Sequence, residues 1–243
     1  MANAASQTPS GYEARRGEIE AYFDRTAAKT WERLTSDAPV SGIRATVRAG
    51  RDAMRANLLS WLPSDMSGQR LLDAGCGTGA LSVEAAKRGA EVVAIDLSPT
   101  LVDVARARLP AELSDRITFL SGDMLDPRLD TFDHVVAMDS VIHYEATDKI
   151  GAVARLAERA ESQLLFTFAP KTPLLGAMHT VGKLFPRGDR SPAIVPVGER
   201  YLRRMIDVHP MLADFGIEAM QRIKSGFYTS QAVRLVRQNR LTS

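Results

Sequence analysis

Residues 71–79 constrain the fold of this chain more strongly than any other stretch. They read Leu-Leu-Asp-Ala-Gly-Cys-Gly-Thr-Gly, an apolar run that ends in an acidic residue and enters a loop with three glycines. A helical pattern follows from Ala80 to Arg88. Glycines permit a tight turn and a close approach of a ligand, and a helix N-terminus offers free amide donors. The stretch therefore predicts a nucleotide-type ligand site at the carboxyl end of the first strand of an open α/β sheet.

The chain that follows alternates between predicted strands and helices. Ser98 and Pro99 begin the helix after the second strand, with serine as the N-cap and proline in the first turn. Such alternation gives a parallel sheet with right-handed crossovers. The strands are predicted at 71–73, 91–95, 117–121, 133–138, 163–168, 217–224 and 228–236. A helix is predicted at 149–160, before the fifth strand, and another at 198–215, before the sixth.

The sequence divides into three predicted regions. Residues 1–11 are small and polar, and we expect them to be disordered. Residues 12–66 are predicted to form a helical lid or cap, with helices at 12–34 and 43–62. Residues 67–243 are predicted to form the ligand-binding domain, with a lid-like insertion at about 172–197 that is rich in proline and glycine.

The composition is that of an ordinary globular protein. The 243 residues are 45% hydrophobic and 25% charged, with a net charge of +2, which is too small to argue for nucleic acid binding. The single cysteine, Cys76, excludes a disulfide framework. His134, His179 and His209 have no ligand spacing, so we expect no bound structural metal. We see no signal peptide and no apolar run long enough to span a membrane, and we therefore expect a cytoplasmic protein.

Two ligand classes compete for the glycine loop. Gly75, Gly77 and Ala80 satisfy the loose dinucleotide pattern G-x-G-x-x-A, and Asp96 follows at the expected distance, which favours a dehydrogenase. Asp73, however, places a negative charge where a pyrophosphate would lie. Residues 73–79 instead resemble motif I of the class I S-adenosylmethionine-dependent methyltransferases. That resemblance implies a Rossmann-like α/β fold with a seven-stranded, mostly parallel sheet, an antiparallel C-terminal strand and an N-terminal helical lid.

Acidic residues end four successive predicted strands. Because the carboxyl ends of parallel strands share one edge, Asp73, Asp96, Asp123 and Asp139 are expected near one ligand. Asp96 can accept two hydrogen bonds from vicinal ribose hydroxyls. The resemblance implies that Asp123 binds the adenine amine. The predicted S-adenosylmethionine-binding residues are Asp73, Gly75, Cys76, Gly77, Asp96, Leu97, Asp123, Met124 and Asp139.

A narrower resemblance covers nearly the whole chain after about residue 15. Its most specific segments are Tyr-Phe-Asp-Arg-Thr at 22–26, Val-Ile-His-Tyr at 141–144 and Phe-Ala-Pro-Lys-Thr at 168–172. Together they look like the magnesium-protoporphyrin IX O-methyltransferases of chlorophyll and bacteriochlorophyll biosynthesis. The resemblance implies methyl transfer from S-adenosylmethionine to a propionate carboxylate of the Mg-porphyrin. Three alternatives stay open: another small aromatic acceptor, an NAD(P)-dependent dehydrogenase, and a non-catalytic cofactor-binding module.

The substrate side is assigned to four residues. Tyr22 and His143 are the predicted catalytic residues and the anchors for the carboxylate. His143 could donate a hydrogen bond to it or approach the porphyrin magnesium. Tyr144 and Lys171 are predicted to contact the substrate as well, Tyr144 as a wall residue.

A row of arginines suggests a further contact surface. Arg44, Arg48, Arg51 and Arg55 fall on one face of the second predicted helix. We expect a solvated basic face, with an anion-binding surface as the alternative. A magnesium chelatase subunit is a possible partner, and peripheral association with the photosynthetic membrane is a possible location.

Overall fold

The computed structural model describes residues 11–27, 35, 42–171 and 192–238. Seven strands form one sheet with the order β3-β2-β1-β4-β5-β7-β6. Strand β7 runs antiparallel to both of its neighbours, and the other pairs are parallel. The strands are β1 (Arg70–Ala74), β2 (Glu91–Asp96), β3 (Ile117–Ser121), β4 (Phe132–Ala137), β5 (Ala160–Phe168), β6 (Phe215–Ser225) and β7 (Tyr228–Arg237). The predicted sheet is confirmed.

Six α-helices lie in the described part of the chain. They are α1 (Gly11–Ala21), α2 (Gly42–Ser60), α3 (Ala80–Lys87), α4 (Pro99–Ala107), α5 (Ala146–Ala157) and α6 (Glu199–Val208). A π-helical turn, Tyr22–Ala27, follows α1. The predicted cap of α4 is confirmed, because the Ser98 hydroxyl accepts a hydrogen bond from the Leu101 amide and proline follows the cap. Among these described helices, none has both the length and the apolar character of a membrane span.

Side chains alternate between the two faces of the sheet and build two core clusters. Leu72 and Phe166 point to the face covered by α5 and α6. Leu71 and Leu165 point to the face covered by α2, α3 and α4. This period of two is the geometry of any strand, and it explains why consecutive leucines in β1 are both fully buried.

The strand order reverses between β1 and β4. From β1 the chain first builds outward through β2 and β3, and then crosses to β4 and β5 on the other side. Ligands of open α/β sheets bind at such a switch point, outside the carboxyl ends of the strands. The glycine loop follows β1 and therefore lies at this point.

Two predicted helix boundaries are wrong. The helix predicted at 198–215 ends at Val208. Pro210 has no amide proton to continue the helix and holds its predecessor, His209, in an extended conformation, so Phe215 begins β6 instead. The helix predicted at 149–160 lies at Ala146–Ala157, and Ala160 is already the first residue of β5.

The predicted lid contains two helices with different surroundings. Helix α2 is part of the sheet core through Met54 and Leu58, which are fully buried. Helix α1 lies over the carboxyl ends of the strands. The first predicted helix was expected to reach residue 34, but residues 28–34, with Trp31, lie outside the described part. The same holds for 1–10 and for 172–191 of the predicted insertion, while Val197 pairs with Pro170 beside β5.

Candidate active site

A cavity of about 300 Å³ lies at the carboxyl ends of β1, β2 and β4. Helix α1, the glycine loop and the turn between β6 and β7 complete its walls. The predicted functional residues that line it are Gly75, Gly77, Asp96, Leu97, Asp123, Met124, Asp139, His143 and Tyr144. These residues come from four separate connections of the sheet, and the other residues that line the cavity were not among the predicted site residues.

The glycine loop has a backbone that other residues would strain. Gly75 and Gly77 have φ angles of 88° and 54°. A Cβ atom on Gly75 would lie 2.4 Å from the Cβ atom of Ser140, so the close approach of β1 to β4 also requires glycine. A Cβ atom on Gly77 would meet nothing within 4 Å. The backbone at Gly77 is therefore open to a ligand.

Both carboxylate oxygens of Asp96 accept hydrogen bonds from backbone amides. Its Oδ2 atom accepts a hydrogen bond from the Gly77 amide at 2.8 Å, and its Oδ1 atom accepts one from the Ser98 amide at 2.9 Å. Burial raises the pKa of this carboxyl, and these amides oppose the shift. Each carboxylate oxygen has a second lone pair, so both can still accept a ligand hydroxyl.

Asp73 and Cys76 face a second cavity of about 200 Å³ rather than the main one. Asp73 accepts a hydrogen bond from the Ser82 hydroxyl at 2.6 Å, and burial raises the pKa of its carboxyl to about 6. Burial also raises the pKa of the Cys76 thiol, as does the nearby charge of Asp73. A thiol in this state is a poor nucleophile. Arg48 and Arg51 of α2 line the same cavity.

Hydrogen bonds to Asp123 hold helix α1 over the cavity. Its Oδ1 atom accepts hydrogen bonds from the Tyr12 hydroxyl at 2.8 Å and the Leu125 amide at 2.9 Å, and Oδ2 accepts one from Arg16 at 2.8 Å. The adjacent Met124 is buried and lines the cavity. The residue predicted to bind adenine is thus the residue to which α1 is attached.

Asp139 is the centre of a polar network beneath the cavity. It has a left-handed backbone, with φ 54°, and its side chain is almost fully buried. Its carboxylate accepts hydrogen bonds from Thr167 at 2.9 Å, Ser230 at 3.1 Å and Tyr228 at 3.1 Å, and pairs with Arg51 at 2.9 Å. The network joins β4, β5, β7 and α2. Asp139 therefore has a structural role that sequence reasoning did not predict.

His143 is a buried, neutral side chain. Burial lowers the pKa of its imidazole to about 4, although the backbone of Ala193 partly opposes the shift. Its Nδ1 atom has no hydrogen-bond partner among the described residues. Phe23 packs against the imidazole with ring centroids 5.9 Å apart. At neutral pH the ring therefore offers one donor and one acceptor but no positive charge.

Tyr144 lines the cavity, and its contact with the substrate stays a prediction. Its ring stacks on Tyr12 of α1 with centroids 4.7 Å apart, and burial raises the pKa of its hydroxyl to about 12. Tyr22 lies farther from the centre: its ring packs edge-on against Phe23, and Phe23 rather than Tyr22 lines the cavity. Lys171 is exposed and is absent from the described lining. The roles assigned to Tyr22 and Lys171 stay predictions.

Further contacts hold α1 and the following turn at the rim. Arg15 donates hydrogen bonds to the carbonyls of His143 at 2.9 Å and Ala193 at 3.1 Å. Asp24 accepts hydrogen bonds from the Thr100 hydroxyl at 2.7 Å and amide at 3.2 Å, at the start of α4. The cavity is therefore covered by a segment attached through polar contacts at its edge.

Comparisons with known proteins agree with this geometry. The family model described as magnesium-protoporphyrin IX methyltransferase C-terminus matches residues 137–237, and a general methyltransferase domain matches residues 71–161. The magnesium-protoporphyrin O-methyltransferase of Rhodobacter capsulatus is 49% identical over 93% of this chain and 98% of its own length. The chain belongs to the magnesium-protoporphyrin O-methyltransferase family.

More distant members of this family give the same result. The chloroplastic magnesium protoporphyrin IX methyltransferase of Arabidopsis thaliana is 30% identical over 90% of this chain and 70% of its own length. The crystal structure of magnesium protoporphyrin IX methyltransferase from Synechocystis PCC 6803 with bound SAH has a TM-score of 0.80 and 27% identity. That comparison covers 92% of this chain and 100% of the other. The expected fold is therefore shared along nearly the whole chain.

Several site residues of this family member were missed by sequence reasoning. Tyr12 and Arg16 are four residues apart on α1 and converge on Asp123, and this spacing was a signal that could have been found. Tyr228 and Arg51 reach Asp139 from 89 and 88 residues away. No local sequence pattern predicts such contacts.

Proposed function

We propose that this protein transfers a methyl group from S-adenosylmethionine to a propionate carboxylate of Mg-protoporphyrin IX. The products are the monomethyl ester and S-adenosylhomocysteine. The observation that carries the proposal is the 49% identity to a magnesium-protoporphyrin O-methyltransferase across almost the full length of both chains. The reaction belongs to chlorophyll or bacteriochlorophyll biosynthesis.

The residues of the cavity fit the nucleoside part of the cofactor. Asp96 offers two acceptors to the ribose hydroxyls, and the open backbone at Gly77 leaves room beside them. Leu97 and Met124 supply apolar contacts for the adenine ring. Arg48 lies beside the loop and gives a positive charge for the methionine carboxylate. When bound, the cofactor supplies an electrophilic methyl group on a sulfonium.

The acceptor needs no strong general base. A propionate resembles a glutamate side chain, whose pKa is about 4.3, so it is ionised at neutral pH. His143 is neutral under the same conditions because burial lowers the pKa of its imidazole to about 4. We assign His143 the task of orienting the carboxylate through its ring N–H. Correct orientation and exclusion of water supply the acceleration.

Helix α1 has to move when the ligands enter. A cavity of about 300 Å³ is at the lower end of the range for ligand sites, and a nucleoside cofactor together with the reacting propionate needs more room. The contacts of Tyr12 and Arg16 with Asp123 hold α1 at the rim. Opening of these contacts would enlarge the cavity without disturbing the sheet.

The decisive experiment is a turnover assay with Mg-protoporphyrin IX and methyl-labelled S-adenosylmethionine. We expect a labelled monomethyl ester, and its absence would refute the proposal. His143→Ala is expected to reduce turnover more than the affinity for S-adenosylhomocysteine, whereas Asp96→Ala is expected mainly to weaken that affinity. Asp130→Ala, on the exposed surface, serves as the control.

Calorimetry separates the remaining alternatives. Binding of S-adenosylhomocysteine without binding of NAD(P) is expected, and the opposite pattern would indicate a dehydrogenase. Cofactor binding without any methyl transfer would indicate a non-catalytic module. Transfer to a small quinone-like ring in preference to the porphyrin would indicate a different acceptor.

We also propose that the protein works as a peripheral partner of a magnesium chelatase subunit or of the photosynthetic membrane. The porphyrin is poorly soluble, so a direct transfer between proteins would protect it. The predicted basic face supports this only in part, because Arg51 turns inward to Asp139 and Arg55 pairs with Asp52. Charge reversal at Arg44 should weaken chelatase or vesicle binding, and unchanged binding of both would remove the proposal.

A further inference from the structure

Large apolar side chains are exposed at the mouth of the cavity. Phe227, in the turn between β6 and β7, is 50% exposed, and Ile194, at the end of the predicted insertion, is 40% exposed. Both also line the cavity, together with Val47 of α2. Single exposed apolar residues are common on protein surfaces, but these continue the apolar lining of a ligand site outward.

The first turns of α2 extend the same surface. The turn at Gly226 packs directly on α2, since a Cβ atom there would lie 2.5 Å from the Thr46 hydroxyl oxygen. Phe227 is therefore next to this part of the helix. Ile43, one helical turn before Val47, is 58% exposed and lies on the same side of α2. We call Ile43, Val47, Ile194 and Phe227 the macrocycle shelf.

Positive charge borders the shelf. Arg44 follows Ile43 and is exposed, and Arg48, four residues later, lies along the same side of α2 and lines the second cavity. An apolar surface with a cationic edge complements a flat apolar ring with anionic substituents. Mg-protoporphyrin IX has this chemistry: an apolar macrocycle with two propionates on one edge.

We propose that the macrocycle shelf binds the porphyrin ring, and that Arg44 binds the propionate that is not methylated. The proposal rests on the proposed function and extends it from the reacting carboxylate to the rest of the substrate. The shelf holds the ring outside the enclosed cavity, so that one propionate reaches inward toward His143 while the other stays at the rim. The chain thereby methylates one carboxylate and not both.

The test compares porphyrin binding and cofactor binding in the full chain. The porphyrin affinity of the Phe227→Ser and Ile43→Ser variants is measured by the quenching of tryptophan fluorescence by Mg-protoporphyrin IX. Their affinity for S-adenosylhomocysteine is measured by calorimetry. A half-exposed Phe227 has about half of its surface left to bury. We therefore expect porphyrin binding to weaken about tenfold, equivalent to about 1.4 kcal/mol, with the cofactor affinity unchanged. Val208→Ser on α6, which is 72% exposed, is the matched control.

The cationic edge is tested separately with the dimethyl ester of the same porphyrin. The ester keeps the ring and lacks both carboxylates, so Arg44→Gln should weaken binding of the diacid and leave binding of the diester unchanged. Phe227→Ser should weaken both. Arg204→Gln, an exposed arginine on α6, is the control for the loss of a charge.

The results of these experiments distinguish a wrong assignment of the shelf from a wrong proposed function. If the wild-type chain makes no ester, the proposed function is wrong. If it makes the ester but Phe227→Ser and Ile43→Ser bind the porphyrin as the wild type does, the shelf is wrong. Loss of vesicle binding, or of self-association, with unchanged porphyrin binding would assign the same surface to a lipid or to a second copy and would also overturn the proposal.

Discussion

Substitution of Asp139 separates its structural role from the cofactor-binding role that its position suggested. The carboxylate accepts hydrogen bonds from Thr167, Ser230 and Tyr228 and pairs with Arg51. Asp139→Ala leaves all four groups without this acceptor, and removal of one partner from a buried ion pair costs about 3 to 5 kcal/mol. The left-handed backbone at φ 54° adds about 1 kcal/mol for alanine. Arg51 is only partly buried, so the loss of the ion pair is at the lower end of that range. With the backbone cost added, we expect the free energy of unfolding to fall by about 4 kcal/mol.

Asp139→Asn is the more informative variant. Many domains have a free energy of unfolding of only about 5 to 15 kcal/mol, so the loss expected for Asp139→Ala could unfold the chain altogether. Asparagine tolerates the left-handed region and keeps one oxygen acceptor, but it has no charge for Arg51. We expect a loss of about 2 kcal/mol. The measurement is urea denaturation of the full chain, where a lower midpoint with an unchanged slope indicates a change in stability. Asp130→Asn, at an ion pair whose carboxylate is 77% exposed, should change the value by less than about 0.5 kcal/mol.

Calorimetry with S-adenosylhomocysteine completes the comparison. If the network is the main role of Asp139, Asp139→Asn lowers stability and changes cofactor affinity only a few-fold. A variant that keeps wild-type stability but binds the cofactor about tenfold more weakly would contradict this reasoning and would make Asp139 a direct ligand.

The other predictions concern the glycine loop and two buried basic side chains. Gly75→Ala should destabilise the chain more than Gly77→Ala in urea denaturation, because only at Gly75 would the new methyl group meet Ser140. The pKa of His143 falls from 6.5 in the unfolded chain to about 4. The contribution of the neutral His143 to the free energy of unfolding should therefore be complete above about pH 6.5 and be lost toward pH 4. His143→Gln should reduce that loss, and an equal dependence of stability on pH in both proteins would contradict the burial argument. The pKa of Lys149 falls from 10.5 to about 8 because the side chain is buried. Wild-type stability should therefore rise between pH 8 and pH 10.5, and a Lys149→Met variant that rises equally would show another source.

The glycine loop was predictable because its requirements are local. A left-handed backbone at Gly75 and Gly77, a buried strand before them and a helix after them all follow from adjacent residues. The Ser98 cap and its proline are equally local. The parallel direction of the first five strands followed from alternation, since helices between the strands are the crossovers that parallel strands require.

The detailed surroundings of the site could not be predicted in the same way. Whether Phe23 or Tyr22 faces the cavity depends on the rotation of the helix, which changes by about 100° from one residue to the next. A π-helical turn at these residues alters that rotation further. The helix boundary at Val208 was missed because the periodic pattern continued through Pro210, although the proline itself was visible.

The sequence by itself determined the fold class, the ligand loop and the family, because these depend on short patterns of residue type. Tertiary structure decided which groups meet: Asp123 with Tyr12 of α1, Asp139 with Arg51 and Tyr228, and the apolar turn at Phe227 with α2. It also decided that His143 is neutral, since its pKa follows from burial. Hydrogen bonding and burial depend on how elements far apart in the sequence pack together, and no local sequence pattern determines that packing.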